Sequence, residues 1–163
     1  MIRARPRPTM LVVGTGMAGA KVVEEVLARA PDRFHIRMFG AEPHGTYNRI
    51  RLSQVLAGES DERSLWLNPL EWYEDRGVRV HSGVKAETID RQNRLVVGAH
   101  GKVVEPYDVL VLATGSRPFV PPLENVRRPG VFVFRTIDDC ANIAAHAEEC
   151  DRAVVLGGGL LGL

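Results

Sequence analysis

A chain of 163 residues with 45% hydrophobic and 25% charged side chains is long enough to bury a core of its own, which sets it apart from a disordered tail. Lys and Arg number 21 against 20 Asp and Glu, so no field of one sign recruits nucleic acid or an anionic membrane. Two cysteines, Cys140 and Cys150, are too few for a zinc site or an iron–sulfur cluster and too far apart for a CxxC redox pair; a reducing, cytoplasmic setting is the default.

The opening Met1-Ile-Arg-Ala-Arg-Pro-Arg-Pro8 is basic but lacks the apolar centre of a signal peptide, and residues 1–8 read as a flexible tail. Thr9-Met-Leu-Val-Val13 is a short apolar run that breaks at Gly14. A helical pattern follows, with Val22, Val23, Val26 and Leu27 on one face, and should stop before Pro31-Asp32. Phe34 to Phe39 then alternates as a second strand ending at Gly40, which completes a βαβ unit with a right-handed crossover. Ala41 to Asn68 looks irregular apart from a short helix at Leu52 to Ala57, and Pro69 to Asp75 predicts another, closed by Gly77.

From Val78 the runs are short and β-branched: Val78–Val80, Val84–Ile89, Arg94–Val97 and Lys102–Glu105. With turn residues at Arg91-Gln-Asn93 and His100-Gly101, they predict an antiparallel meander. Tyr107 to Leu112 returns to a continuous apolar run, as a central parallel strand would, and stops at Thr114-Gly115. Pro118, Pro121, Pro122 and Pro129 make an extended connector, Asp138 or Asp139 can cap a last helix through about Ala147, and Arg152 to Leu156 predicts a strand running into glycines. The architecture expected is therefore α/β: a Rossmann-like parallel sheet with an inserted antiparallel meander.

One motif occurs twice. Leu11-Val-Val-Gly-Thr-Gly-Met-Ala-Gly19 and Val155-Leu-Gly-Gly-Gly-Leu-Leu-Gly162 both run from an apolar strand into GxGxxG. In such a loop Gly14 permits the tight turn, Gly16 lets the backbone approach a pyrophosphate, and Gly19 lets the helix close on the strand. The helix then opens at Met17 and Ala18, whose backbone N–H groups face an anion. Glu42, at the end of the next strand, is placed to accept from a ribose hydroxyl, with a solvated loop carboxylate as the competing reading. The second copy places Gly157, Gly159 and Gly162 in the same roles. His35, His44, His81, His100 and His146 never come in metal-ligand spacing, and no Ser–His–Asp elbow or paired-carboxylate motif supports hydrolysis. Trp66, Trp72 and Tyr73 are expected to pack, Tyr73 sharing a helix face with Leu70.

The pattern does not by itself separate FAD from NAD. A meander interrupting the parallel sheet, with Ala113-Thr-Gly-Ser-Arg-Pro118 closing the strand after it, resembles the FAD domain of the two-dinucleotide flavoproteins of the pyridine nucleotide–disulfide oxidoreductase fold. Phe39-Gly-Ala-Glu-Pro-His-Gly-Thr-Tyr-Asn-Arg49, followed by Leu52-Ser53 and Val55-Leu-Ala-Gly-Glu59, resembles more narrowly the amino-terminal part of the NAD(P)H-dependent nitrite reductase large subunit. The likeness covers residues 10–163. It implies Arg49 beside the pyrophosphate and flavin, Val84, Lys85 and Ala86 framing the adenine, and Thr114 and Gly115 passing close to the cofactor. A surface role for Arg49 and a strand-edge role for Lys85 and Ala86 stay open. Gln54 stands where several relatives carry Lys beside the flavin. The redox cysteine pair of the family's disulfide reductases has no counterpart in this region, so disulfide reduction is disfavoured. Cys140 and Cys150 read as small core or surface residues.

The activity implied is that of an NAD(P)H-dependent flavoprotein oxidoreductase that passes electrons from nicotinamide through FAD to an acceptor. For nitrite as acceptor, siroheme and an iron–sulfur cluster would have to lie elsewhere. The likeness also divides the chain into a FAD-binding domain over residues 9–150, lacking a returning carboxy-terminal segment, and the first strand and glycine loop of an NAD(P)-binding domain over 151–163. A non-catalytic FAD-binding or apo fragment is the alternative, and the isolated chain is expected to transfer no hydride at an appreciable rate. The expected partners are small-molecule cofactors, without nucleic acid or membrane. The Arg152–Leu156 strand is expected to dock in the sheet of its own chain or to swap into a second copy, making a homodimer, with a disordered tail as the competing reading.

Overall fold

The computed structural model describes residues 7–157. In chain order the elements are β1 (Thr9–Val13), α1 (Met17–Arg29), β2 (His35–Gly40), β3 (Thr46–Tyr47), α2 (Leu52–Leu56), β4 (Trp66–Asn68), α3 (Leu70–Glu74), β5 (Arg79–Ser82), β6 (Ala86–Asp90), β7 (Leu95–Gly98), β8 (Val103–Pro106), β9 (Val109–Leu112) and α4 (Ile137–Ala147). They fall into two compact units. One comprises the residues up to Asn48 together with Trp66–Ser116; the other comprises Arg49–Leu65 and the residues from Arg117 onward.

The first unit is built on a parallel sheet in the order β5-β2-β1-β9. Side chains alternate across a strand, so β1 feeds two cores at once. Met10 and Val12 join Ile36 and Met38 of β2 against Ala20 and Val23 of α1, Tyr73 of α3 and Val78. Leu11 and Val13 join Phe39 and Val96, beneath the meander. The helix α1 runs from the glycine loop to Arg29, and Ala30 caps it by donating to the Val26 carbonyl before Pro31 intervenes.

Two strands depart from the sequence-based expectation. Val78–Val80 was expected in the meander, yet β5 pairs in parallel with β2, in the register Arg37↔Arg79 and Met38↔Val80. The turn at Gly77 (φ 67°) after α3 explains this, because α3 supplies the crossover that a parallel neighbour requires, and Val78 then fills the helix-side core. The meander consequently has three strands, β6-β7-β8. The other departure is β9, which lies at the sheet edge and pairs with β1, not centrally; Val109 and Leu112 are exposed as a result. The expected irregular stretch also contains a small antiparallel pair, β3 with β4, joining Thr46 to Asn68.

The meander is fastened to the parallel sheet by a buried carboxylate. Glu105 on β8 pairs with Arg37 of β2, accepts from or bonds with His81 Nε2 of β5 at 2.7 Å, and lies 3.8 Å from Arg79.

In the second unit α2 packs on α4, with Leu52, Ile137 and Cys140 buried and the Cys140 thiol 3.8 Å from the Leu52 carbonyl. The cap of α4 is Thr136 instead of Asp138 or Asp139. Its hydroxyl accepts from the Asp139 N–H at 3.0 Å while the Asp139 carboxylate accepts from the Thr136 N–H at 2.8 Å, so Asp139 completes a capping box from inside the helix. Arg152–Leu156 forms no strand, contrary to expectation, and docks in no sheet among the described residues. A strand needs a neighbour's N–H and C=O groups to complete its ladder, and here Val154, Val155 and Leu156 stand exposed instead. No described helix is long and apolar enough to cross a membrane.

Candidate functional site

The loop from Gly14 to Gly19 leaves the carboxy end of β1, and its glycines meet three different surroundings. Gly14 has φ +118°, and a Cβ there would lie 2.1 Å from the Ala113 carbonyl oxygen at the end of β9. A Cβ on Gly19 would lie 2.0 Å from the Gly14 carbonyl oxygen, so the first turn of α1 rests directly on the loop. At Gly16 a Cβ would meet nothing within 4 Å. The loop is closed behind by Gly14 and Gly19 and open in front at Gly16.

Gly16 is also the N-cap of α1, with no side chain capping it and no acidic residue in the first turn. A helix start carries N–H groups without intrahelical partners and a partial positive charge. Met17 is half-buried and Ala18 exposed at this position. Such an arrangement can receive an anion on its backbone. Pyrophosphate fits it, because the atoms that would otherwise crowd the Gly16 backbone are missing.

The second strand ends beside the loop. The Gly14 N–H donates to the Phe39 carbonyl at 2.8 Å, and the Thr15 side chain covers Gly40, where a Cβ would come within 2.6 Å of the Thr15 hydroxyl. Beyond Gly40, the half-buried Glu42 accepts a hydrogen bond of 2.6 Å from the Tyr47 phenol. Glu42 also accepts at its backbone from the Gly83 N–H, and the Val84 N–H donates to the Gly40 carbonyl, which draws the meander's entry to the same strand end. Val84 and Ala86 pack on the core beneath the meander, while Lys85 is exposed. Thr114 and Gly115 are exposed just past β9, and the Thr114 N–H lies 3.4 Å from the Cβ position of Gly14.

The first unit thus brings together Gly14, Gly16, Met17, Ala18, Gly19 and Thr114, with Glu42 at the tip of the adjacent strand. Arg49 belongs to the second unit, where its guanidinium donates to the Arg135 carbonyl at 3.1 Å. Gly157 (φ +117°) is exposed in that unit, and Gly159 and Gly162 lie outside the described residues. Tyr73 and Trp72 pack as expected, edge-on with ring centroids 5.0 Å apart, and the Arg76 guanidinium sits 4.2 Å above the Trp72 ring.

Sequence reasoning missed the side chains that hold this site. Tyr47 Oη reaches Glu42; Thr46 Oγ1 donates to the Thr15 carbonyl at 2.8 Å and contacts Tyr73 Oη at 2.6 Å; Asn68 donates to Glu24 of α1 at 2.6 Å. Burial pushes the Tyr73 phenol above its ordinary value, partly offset by its hydrogen-bond contacts with Thr46 and Asn68. Burial, and secondarily the Glu62 charge, likewise push the Cys140 thiol up, which keeps it an inert thiol at neutral pH. Among the described residues no group of three or more His, Cys, Asp or Glu could hold a metal ion.

Comparison with known proteins identifies the family of this fold. The NAD(P)H nitrite reductase of Bacillus subtilis is 42% identical over 154 residues, which cover 94% of this chain and 19% of that protein. The assimilatory nitrate reductase electron transfer subunit of the same organism is 40% identical over 154 residues, 94% of this chain and 20% of its own length. A ferredoxin reductase crystal structure from Rhodopseudomonas palustris superposes with a TM-score of 0.85 at 30% identity, over 96% of this chain and 38% of that one. The chain spans about a fifth of the length of these two curated relatives. The family model described as pyridine nucleotide-disulphide oxidoreductase matches residues 8–163, and the glycine loop, its open Gly16 face and the sheet that carries it are those of a chain that belongs to this family.

Proposed function

We propose that this chain is the FAD-binding part of an NAD(P)H-dependent flavoprotein oxidoreductase of the nitrite reductase kind. The observation that carries the reading is the contrast between Gly16, open for 4 Å, and Gly14 and Gly19, whose Cβ positions would collide with backbone. In this reading the backbone of Gly16, Met17 and Ala18 binds the FAD pyrophosphate, and Glu42, steadied by Tyr47, accepts from a ribose hydroxyl. Val84, Lys85 and Ala86 line the adenine, Thr114 and Gly115 border the cofactor, and Arg49 neutralises phosphate charge. FAD held by these residues would supply the redox chemistry between NAD(P)H and an electron acceptor, and the chain's part is to bind and orient it.

Two of the relatives carry names that fit a chain of electron transfer: a nitrite reductase using NAD(P)H and an electron transfer subunit. They favour the oxidoreductase reading over a non-catalytic fragment. Residues 9–150 are assigned to FAD, and residues 151–163, with Gly157, Gly159 and Gly162, to the opening of an NAD(P)-binding domain. A cytoplasmic setting and nitrite as the acceptor belong to the same proposal. So does a homodimer through residues 152–156, supported by the exposure of Val154, Val155 and Leu156. A monomer in light scattering would remove the dimer from it.

Equilibrium dialysis of the purified chain against FAD, FMN and NADH separately tests the central assignment. Preferential retention of FAD is expected. NADH retained without flavin would reassign the first glycine loop to nicotinamide dinucleotide.

A further inference from the structure

We propose that Thr46 is a positioning residue of the dinucleotide site, which orients the Thr15–Gly16 peptide through a directed chain of buried hydrogen bonds. The proposal rests on the reading of the Gly14–Gly19 loop as the pyrophosphate cradle.

The direction of the chain follows from counting protons. A threonine hydroxyl has one hydrogen to donate, and the Thr15 carbonyl, 2.8 Å away, can only accept. That hydrogen is therefore committed to Thr15, and in the 2.6 Å contact between Thr46 Oγ1 and Tyr73 Oη the phenol must be the donor. The raised pKa of Tyr73 keeps this donor protonated, and the Tyr73 oxygen in turn has Asn68 as a hydrogen-bond partner. Asn68 spends a further N–H on the Glu24 carboxylate of α1 at 2.6 Å. Thr46 and Tyr73 are fully buried and Asn68 is 6% exposed, so water does not compete for these bonds.

Two consequences reach the cradle. The Thr15 carbonyl and the Gly16 N–H belong to one planar peptide, so a bond that fixes the first fixes the plane of the second. A hydrogen bond donated into a peptide carbonyl also polarises that peptide and strengthens its N–H as a donor to an anion. The short strand β3 is held where Thr46 can do this because Gly45 lies against β4, where a Cβ would come within 2.5 Å of the Asn68 carbonyl oxygen.

Full-length Thr46→Val, Thr46→Ser and Tyr73→Phe chains test the proposal with two readouts: hydrogen exchange over residues 14–20 without nucleotide, and the FAD dissociation constant. Thr46→Val is nearly isosteric and leaves the Thr15 carbonyl without its partner. Exchange over 14–20 should rise about tenfold, with Leu95–Gly98 unchanged as internal control, and FAD should bind about tenfold more weakly. Thr46→Ser, which keeps the hydroxyl, should restore both. Unchanged exchange over 14–20 in Thr46→Val, or acceleration spread equally over Leu95–Gly98, overturns the proposal. Should Thr46→Val fail to fold, Tyr73→Phe decides: acceleration confined to 14–20 supports the chain, and none or a uniform one overturns it. A wild-type chain that binds no FAD refutes the cofactor reading by itself, and the exchange comparison still judges Thr46.

Discussion

The Tyr47 phenol donates to the Glu42 carboxylate at 2.6 Å, from a ring that is itself buried and meets Trp66 edge-on at 5.9 Å. Glu42 is therefore a held carboxylate and not a free loop residue. Tyr47→Phe keeps the ring and removes the bond. FAD affinity should fall about fivefold, in keeping with one charge-assisted hydrogen bond acting indirectly, and Glu42→Gln should cost more. Fluorescence titration of FAD measures both; a Tyr47→Phe variant with the larger loss would contradict the assignment of Glu42 as the ligand.

The three glycines of the loop should separate binding from folding. Gly16→Val faces open space, so the variant should melt like the parent chain and yet lose FAD, since a side chain now occupies the phosphate path. Gly19→Val would force a side chain against the Gly14 carbonyl and should lower stability by about 3 kcal/mol or more. Thermal melting followed by FAD titration checks the pair. Wild-type flavin affinity in Gly16→Val would dismiss the cradle.

Glu105 is the carboxylate that joins the meander to the sheet through Arg37 and His81. Glu105→Ala leaves the Arg37 guanidinium without its carboxylate partner. Breaking a buried pair costs about 3–5 kcal/mol, and because the Arg37 side chain is 30% exposed the lower end, about 3 kcal/mol, is expected. Urea denaturation should show this as a lower midpoint at unchanged slope. A shift under about 0.5 kcal/mol, the range of ordinary surface substitutions, would mean that the cluster is solvated in solution.

Tyr73 gives stability a specific alkaline limit. Its folded pKa is raised above the ordinary 10.0, so the neutral phenol is favoured by folding; the contribution is complete below pH 10 and disappears as pH rises through the folded value. Tyr73→Phe has no such group. Wild type should be the more stable at about pH 8, and its advantage should shrink by about pH 11. A constant gap between the two in urea midpoints would show that Tyr73 ionises as freely in the fold as in the unfolded chain.

What the sequence determined by itself is the part of the protein that rests on near neighbours. The apolar run Thr9–Val13, the glycine spacing after it and Pro31 were enough to place β1, the loop and α1 to within a residue or two, because strand and helix periodicity and the breaking of a helix by proline are local effects. The short helices at Leu52 and Leu70 were legible for the same reason. The form of the glycine loop was legible too, since its open face depends only on which side chains are missing.

The tertiary structure decided everything that depends on a partner. Val78–Val80 is β-forming wherever it goes, and only the vacant edge of β2 made it a parallel strand; the same β-forming pattern in Arg152–Leu156 found no edge among the described residues and stayed exposed. Thr136 displaced the aspartates as cap because capping is reciprocal, and Asp139 serves better from the third helical position. Thr15, Thr46, Asn68 and Tyr73 carry no motif that relates them. Buried hydroxyl and amide groups must find partners where water is excluded, and the fold brings together residues 27 and 31 positions apart to do so, which is why the side chains that hold the glycine loop emerge only in three dimensions.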